Sequence, residues 1–280
     1  MTGRERSYPR FSRGQRLQHA ILILSFTMLA LTGLPQMYAF TRAGEAVIAV
    51  LGGIEAVRVV HRIAAIVLMA ATLYHVCDVA YRLLVRRRSL SMLPRYQDLR
   101  DAIQAVRYNL GRARSRPRMG RYTFEEKVEY WALLWGNLVM IATGFVLWNP
   151  IATAQAFPGQ VIPAALAAHG GEALLAVLAV IVWHGYGVHI RHFNRSMFTG
   201  SMTEAEMREE HPLELEAIES GQAPAEPEPA LLHRRRRLFL PVAAALALVL
   251  LAGLYWFVTF EETALPTVPR VVPAPVSGVR

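Results

Sequence analysis

Cysteine is almost missing from this 280-residue chain. Cys77 stands alone, so no internal disulfide can form, and there is no C-x-x-C-H stretch for covalent haem attachment. Charge is scarce at 18% of residues, and uneven, with 30 Lys and Arg against 21 Asp and Glu. A chain that is 54% hydrophobic, with mean hydropathy +0.27, is too apolar for an ordinary soluble domain. No clear small-x-small cleavage site follows the first apolar run, which therefore reads as a retained span and not a removable leader.

What fills the chain is long apolar runs. A hydrocarbon core of about 30 Å needs about 20 apolar residues in a helix. Five stretches qualify: 17–38, 56–84, 128–148, 161–190 and 238–260. The first and last carry no charge, while the second carries Arg58, Arg62, Asp78 and Arg82. The expected fold class is all-α and integral to the membrane, a four-helix transmembrane bundle over 17–200 with a fifth, C-terminal transmembrane helix at 238–260.

Lys and Arg number five in residues 1–16, twelve in 85–127 and seven in 191–237, against one in 39–55 and none in 149–160. The positive-inside rule then places residues 1–16 and the basic loop 85–127 in the cytoplasm and the C-terminus in the periplasm, across a bacterial inner membrane. This topology accounts for the net charge of +9. The arginines flank spans and do not cover a folded face, so membrane lipid is an expected partner and nucleic acid is not.

Within the loop 85–127, residues 96–110 read as helical. Ser201-Met202-Thr203 ahead of Glu204 and Glu206 reads as the start of a capped surface helix. SGQAPAEPEPA, 220–230, has linker composition, which makes 201–237 a cytoplasmic segment and linker. The tail 261–280 is proline-rich and reads as extended and periplasmic. No internal repeat with shared motifs is found.

Nine histidines are present. His61 and His75 are fourteen residues apart on the second span, and His169 and His184 fifteen apart on the fourth. At 100° per residue both spacings return to nearly the same helix face, and at ~1.5 Å rise each pair is separated by about 21–22 Å. Both spans cross in the same direction, so His61 is level with His169 near the outer side and His75 with His184 near the inner side. Facing imidazoles at each of two depths meet the requirement of two stacked b-type haems held between helices. A packing or proton-path role fits any one of these histidines, but not four at matched spacing. Zinc ligands must converge on one ion, which residues about 20 Å apart cannot do.

His19, just inside the first span, is level with His75 and His184, so the inner pair is either His75–His184 or His19–His184. His189 lies five residues past His184 and about 140° around an α-helix from it. It reads as a quinone-site residue, an interfacial residue, or the ligand of a third haem with His19. His192, His211 and His233 fall in cytoplasmic segments and read as surface residues.

Gly33, Gly136, Gly144, Gly170, Gly171, Gly185 and Gly187 lie in or beside spans, where a missing side chain admits a porphyrin or a neighbouring helix. Arg58 and Arg62 flank His61, and either pair with haem propionates or snorkel to headgroups. Glu172 and Asp78, one turn from His169 and His75, read as propionate neighbours, proton carriers or salt-bridge partners.

RGQRLQHAILILSFTMLALTGLP resembles the first span of the cytochrome b subunits of formate dehydrogenases and nickel–iron hydrogenases. VRVVHRIAAIVLMAATLYH, FEEKVEYWALLWGNLVMIATGFVLWNP and AAHGGEALLAVLAVIVWHGYGVHIRHFNRSMFTG are similar to a wider cytochrome b/b6-domain branch, often found with periplasmic multihaem cytochromes or reductases. The resemblance covers about 13–216 and implies a four-helix bundle with two b haems that exchange electrons with quinone or menaquinone. In the formate dehydrogenase type the ligands match His19, His61, His169 and, offset by one residue, His184. His75 has no counterpart there, and its spacing from His61 resembles the cytochrome b of bc-type complexes. Both inner pairings stay open, with His75 favoured on spacing. The family's quinone site lies near the inner haem. Candidates at that depth are His19, Glu129, Tyr130 and His189, while Thr123 stands where a larger polar residue is expected.

The leading expectation is a dihaem cytochrome b passing electrons between quinone and a partner, either a periplasmic multihaem cytochrome c or an oxidoreductase with an iron–sulfur subunit. No catalytic constellation of the chain's own is seen; the haem carries the chemistry. The rivals are a stand-alone haem b ferric-type reductase, a haem-free anchor or scaffold, and a transporter with a histidine proton path.

Overall fold

The computed structural model describes residues 6–191, 193–222 and 227–260. The proline-rich tail 261–280, His192 and part of the linker lie outside these described residues. In chain order come β1 (Ser7–Pro9), α1 (Arg13–Met37), α2 (Arg42–Val50), α3 (Ile54–Leu84), α4 (Tyr96–Asn109), α5 (Phe124–Trp148) and α6 (Pro150–Ala156). Next are α7 (Val161–Leu178), α8 (Ser196–Thr199), β2 (Ser201–Thr203), α9 (Glu204–Glu210), α10 (Pro212–Glu219) and α11 (Pro229–Thr259). Five helices are long and apolar enough to cross a membrane: α1, α3, α5, α7 with its continuation to Arg191, and α11. Many of their large apolar side chains are exposed, as suits helices whose solvent is lipid.

The bundle is two helix pairs, α1 against α3 and α5 against α7, joined through contact between α1 and α7. α11 packs on α3, with the Tyr81 and Phe239 rings 5.6 Å apart. Phe257 sits edge-on to Phe145 of α5 at 4.7 Å. α11 begins well before the expected span, so Arg234 to Arg237 are helical. At ~1.5 Å per residue it outreaches a ~30 Å core, which lets its basic first turns stay in the headgroups.

Local chemistry explains the helix starts. Ser12 and Gln15 form a capping box on α1, Thr123 and Glu126 on α5, and Thr203 and Glu206 on α9. Thr123 is thus an N-cap. α7 does not stay α-helical: two π-helical turns, Ala179–His184 and Tyr186–Arg191, carry it to its end. Such turns insert extra residues into the helix and often mark functional positions.

A small polar cap closes one end. β1 pairs antiparallel with β2, Tyr8 opposite Met202, an element not expected from the sequence. Met202, Met207 and Leu215 form its core beneath Tyr8 and Ile218. Arg10, 3% exposed, bonds Glu214 at 2.8 Å and reaches Glu126 of α5 at 3.4 Å. Arg121 pairs with Glu214 at 2.6 Å and donates to the Arg10 carbonyl. On α4, Asp98 takes Lys127 of α5 at 2.6 Å, and Trp131 Nε1 donates to the Met92 carbonyl.

His211 corrects an expectation. It is fully buried in the cap, with Nδ1 donating to the Gly120 carbonyl at 2.8 Å. Burial, then the nearby Arg10, pushes its pKa down to about 4. Burial and the Glu126 and Glu209 carboxylates push Glu210 up to about 7. Both neighbours therefore favour their neutral forms.

Candidate functional site

Two histidine pairs lie inside the bundle. Far from the cap, the rings of His61 (α3) and His169 (α7) face one another with centroids 6.4 Å apart. Near the cap, His19 (α1) faces His184, on the first π turn, also at 6.4 Å. A first-row metal bound by two imidazole nitrogens at about 2 Å each, with ring centres roughly 1 Å further out, separates centroids by about 6 Å. Both gaps therefore fit an iron with one imidazole on each side. Among the described residues no three His, Cys, Asp or Glu form a group that could hold a metal ion.

The two histidines of the far pair are supported alike. Thr32 Oγ1 lies 2.6 Å from the Met28 carbonyl and 2.9 Å from His61 Nδ1. Thr143 Oγ1 lies 2.6 Å from the Val139 carbonyl and 2.8 Å from His169 Nδ1. A hydroxyl has one proton, and the helix carbonyl can only accept, so each threonine donates there and accepts the imidazole N–H. That assigns the proton to Nδ1 and leaves Nε2 with the lone pair a metal needs. After each threonine comes a glycine. A Cβ on Gly33 would stand 3.0 Å from His61 Cε1, and one on Gly144 3.6 Å from His169 Cε1. The Thr-Gly dipeptide of α1 and that of α5 thus repeat one device, a repetition the sequence analysis did not find.

Near the cap the support differs. His184 Nδ1 faces Glu129 Oε2 of α5 at 3.1 Å, so this ring donates to a carboxylate. His75, favoured on spacing, is engaged elsewhere. Its Nδ1 lies 2.8 Å from Gln18 Oε1 and its Nε2 2.9 Å from the Tyr130 hydroxyl, while His19 faces His184. His189, expected on another face, lies with its ring 6.4 Å from that of His184. The π turn is the reason, since bonding to the fifth residue brings positions five apart nearly into line.

The remaining candidates divide. Arg58 pairs with Glu55 at 3.4 Å, and Arg62 lies over the Trp148 ring at 4.9 Å. Asp78 pairs with Arg82 at 2.9 Å. A Cβ on Gly136 would strike Glu172, and one on Gly170 would touch Met37 at 3.4 Å, so these two glycines serve side-chain packing. Gly171 and Gly187 face no atom within 4 Å. Thr32, Thr143 and Gln18 were missed by sequence reasoning; a Thr-Gly inside each of two spans was the available signal for the first two.

Known proteins fit this architecture. The cytochrome b556(Fdn) subunit of the nitrate-inducible formate dehydrogenase of Escherichia coli K12 is 24% identical over 110 residues, 39% of this chain. That match spans about half the relative's length, 50%. The formate dehydrogenase cytochrome b556(fdo) subunit of the same organism is 24% identical over 204 residues, covering 72% of this chain and 89% of the relative. Residues 10–203 match the family model described as prokaryotic cytochrome b561. With helices that cross a membrane several times over, the chain belongs to that family, and is a bacterial multi-pass membrane cytochrome b, a haem b protein of electron transfer.

Proposed function

We propose that this protein is a dihaem cytochrome b that moves electrons between a membrane quinone, such as menaquinone, and a partner redox subunit. The observation that carries the proposal is the recurrence of one 6.4 Å imidazole gap at two depths of the same bundle. One haem b is held by His61 and His169, the other by His19 and His184. Bound there, each haem supplies a one-electron centre. The chain's own part is to fix the rings: Thr32, Thr143 and Glu129 orient Nδ1 so that Nε2 faces the gap. Arg58 and Arg62, flanking His61 in the sequence, would be the cations available to haem propionates on that side. No third haem is assigned, because His19, which it would require, already faces His184.

The arginine distribution supports a cytoplasmic cap, with the His61–His169 end and the C-terminus toward the periplasm. Quinone exchange belongs at the cap-side depth, where the ionisable Glu129, Tyr130 and His189 gather. The outer haem then meets a periplasmic partner, an oxidoreductase carrying an iron–sulfur subunit or a multihaem cytochrome c. The formate dehydrogenase relatives support a partner of the oxidoreductase kind.

The test is a haem count on the purified detergent-solubilised chain with a reduced-minus-oxidised spectrum. Two b haems per chain are expected. His61→Ala and His19→Ala should each lose one, and His75→Ala neither. A folded preparation from a haem-replete host that holds no haem would overturn the proposal.

A further inference from the structure

A second polar system runs beside the haem-side histidines without joining them. Tyr130 (α5), His75 (α3), Gln18 (α1), Asp78 and Arg82 (α3) form one continuous chain of hydrogen bonds. The contacts are Tyr130 Oη to His75 Nε2 at 2.9 Å, His75 Nδ1 to Gln18 Oε1 at 2.8 Å, Gln18 Nε2 to Asp78 Oδ2 at 3.2 Å and Arg82 Nε to Asp78 Oδ2 at 2.9 Å. Arg82 also reaches Ser12, the N-cap residue of α1, at 3.4 Å, so the chain ends at the polar cap. Polar and ionisable side chains inside a membrane span are costly unless they act. Three helices contribute here, so these groups are not stray members of one helix face.

The chain has a direction. Asp78 only accepts, which turns the Gln18 amide so that its NH₂ faces Asp78 and its carbonyl faces His75. His75 Nδ1 must then be the N–H donor, and in the neutral ring Nε2 carries the lone pair. Tyr130 therefore donates its hydroxyl proton to Nε2. The phenol oxygen is left with lone pairs only, so in this state it accepts from a hydroxyl and offers nothing to a carbonyl. Tyr130 follows Glu129, the residue against His184, and so sits at the depth of the cap-side pair.

We propose that Tyr130 and His75 form a proton-accepting site for one hydroxyl of a quinol, with Gln18, Asp78 and Arg82 linking it to the polar cap. This rests on the quinone reading above and extends it. The quinol O–H bond breaks as its proton passes to Tyr130 Oη. The Tyr130 O–H bond breaks as its proton passes to His75 Nε2. The products are a quinol anion and an imidazolium. Asp78, one helical turn on, balances the imidazolium charge, and Gln18 holds the ring between them. No electron moves in this step; it yields the anion, the form of quinol that gives up electrons readily. With His75 neutral, the relay matches the reduced substrate. With His75 protonated, the same bonds run in reverse and present a donor to a quinone carbonyl.

The experiment uses the full haem-loaded chain in detergent and follows haem reduction by menadiol in stopped flow, in H₂O and in D₂O. The variants are Tyr130→Phe, which keeps the ring, and His75→Gln, which keeps a polar partner but cannot take a proton. Both are expected to retain two b haems and to be reduced by dithionite like wild type. Menadiol should reduce them at least about 100-fold more slowly, as for loss of a proton-transfer group, and the solvent isotope effect of the wild-type reaction should disappear. Loss of a haem from His75→Gln would make His75 a ligand and overturn the proposal. Wild-type rates and isotope effects in Tyr130→Phe would overturn the relay while leaving the quinone reading intact. A wild-type chain that holds haem but is not reduced by menadiol would overturn the quinone reading itself, and the relay with it.

Discussion

Glu129 Oε2 lies 3.1 Å from Nδ1 of His184, whereas the same ring atom of His61 and of His169 meets a threonine hydroxyl. A carboxylate draws the N–H proton more strongly than a hydroxyl and makes the imidazole a stronger donor to iron, which favours the oxidised metal. The cap-side haem is thus expected at the lower potential. Glu129→Gln should raise that potential by roughly 30–60 mV, equivalent to about 0.7–1.4 kcal/mol for one electron, and leave the other haem unchanged. Potentiometric titration of the two spectral components measures this directly.

Thr143→Val removes the acceptor for His169 Nδ1 while keeping the shape of the side chain. The imidazole loses its fixed tautomer, and haem retention at the far site should weaken about 10–100-fold, the usual cost of losing such a support. Thr143→Ser should restore it. Haem dissociation to an apo-haem acceptor protein, followed by absorbance, separates the two variants.

Gly33→Val puts a side chain where even a Cβ lies 3.0 Å from His61 Cε1. The ring must move, and its gap to His169 cannot be kept. One b haem per chain is expected, the cap-side one, with the spectrum of the His61–His169 haem missing.

The cap should show a hidden pH balance. His211 titrates near 4 when folded against 6.5 when unfolded, so the unfolded cap binds more protons between those values and this residue lowers stability as pH falls. Glu210 titrates near 7 when folded against 4.5 when unfolded, so the folded cap binds more protons and this residue raises stability as pH falls. Between pH 4.5 and 6.5 the two nearly cancel, and wild-type cap stability should be almost flat. His211→Gln should make the cap more stable on acidification and Glu210→Gln less stable, each by at most about 3 kcal/mol. Hydrogen exchange of the amides in 201–219, corrected for intrinsic rates, reads both slopes.

The sequence made the spans legible because lipid imposes length and apolarity together, and each candidate run became a helix. It also made the His61–His169 pair legible, since two helices running the same way put equal steps at equal depth. The inner pair was ambiguous for a physical reason: His19 and His75 share a depth, and only the azimuth of each helix decides which faces His184. Helix periodicity could not place His189, because the π turns reset the angle after Leu178. His211 was misread as a surface residue because its burial depends on segments distant in sequence, the loop at Gly120 and Arg10, closing around it. Thr32 and Thr143 went unnoticed because a threonine in a span ordinarily bonds its own helix, and these two do that as well.

Both imidazole gaps are closed by residues of one helical rod, His169 and His184, and that rod is the last of the four in the bundle. A ribosome making this chain delivers His19, His61 and Thr32 first, then Glu129 and Thr143, the supports of histidines not yet made. Neither histidine pair is complete until the fourth span arrives: His61 waits for His169, and His19 for His184 fifteen residues later. The β1–β2 clasp forms later still, when residues 201–203 reach the strand made at the start of synthesis. Biogenesis is therefore ordered by the fold: both histidine pairs wait on the fourth span, and closure of the cap marks a bundle whose pairs are already complete.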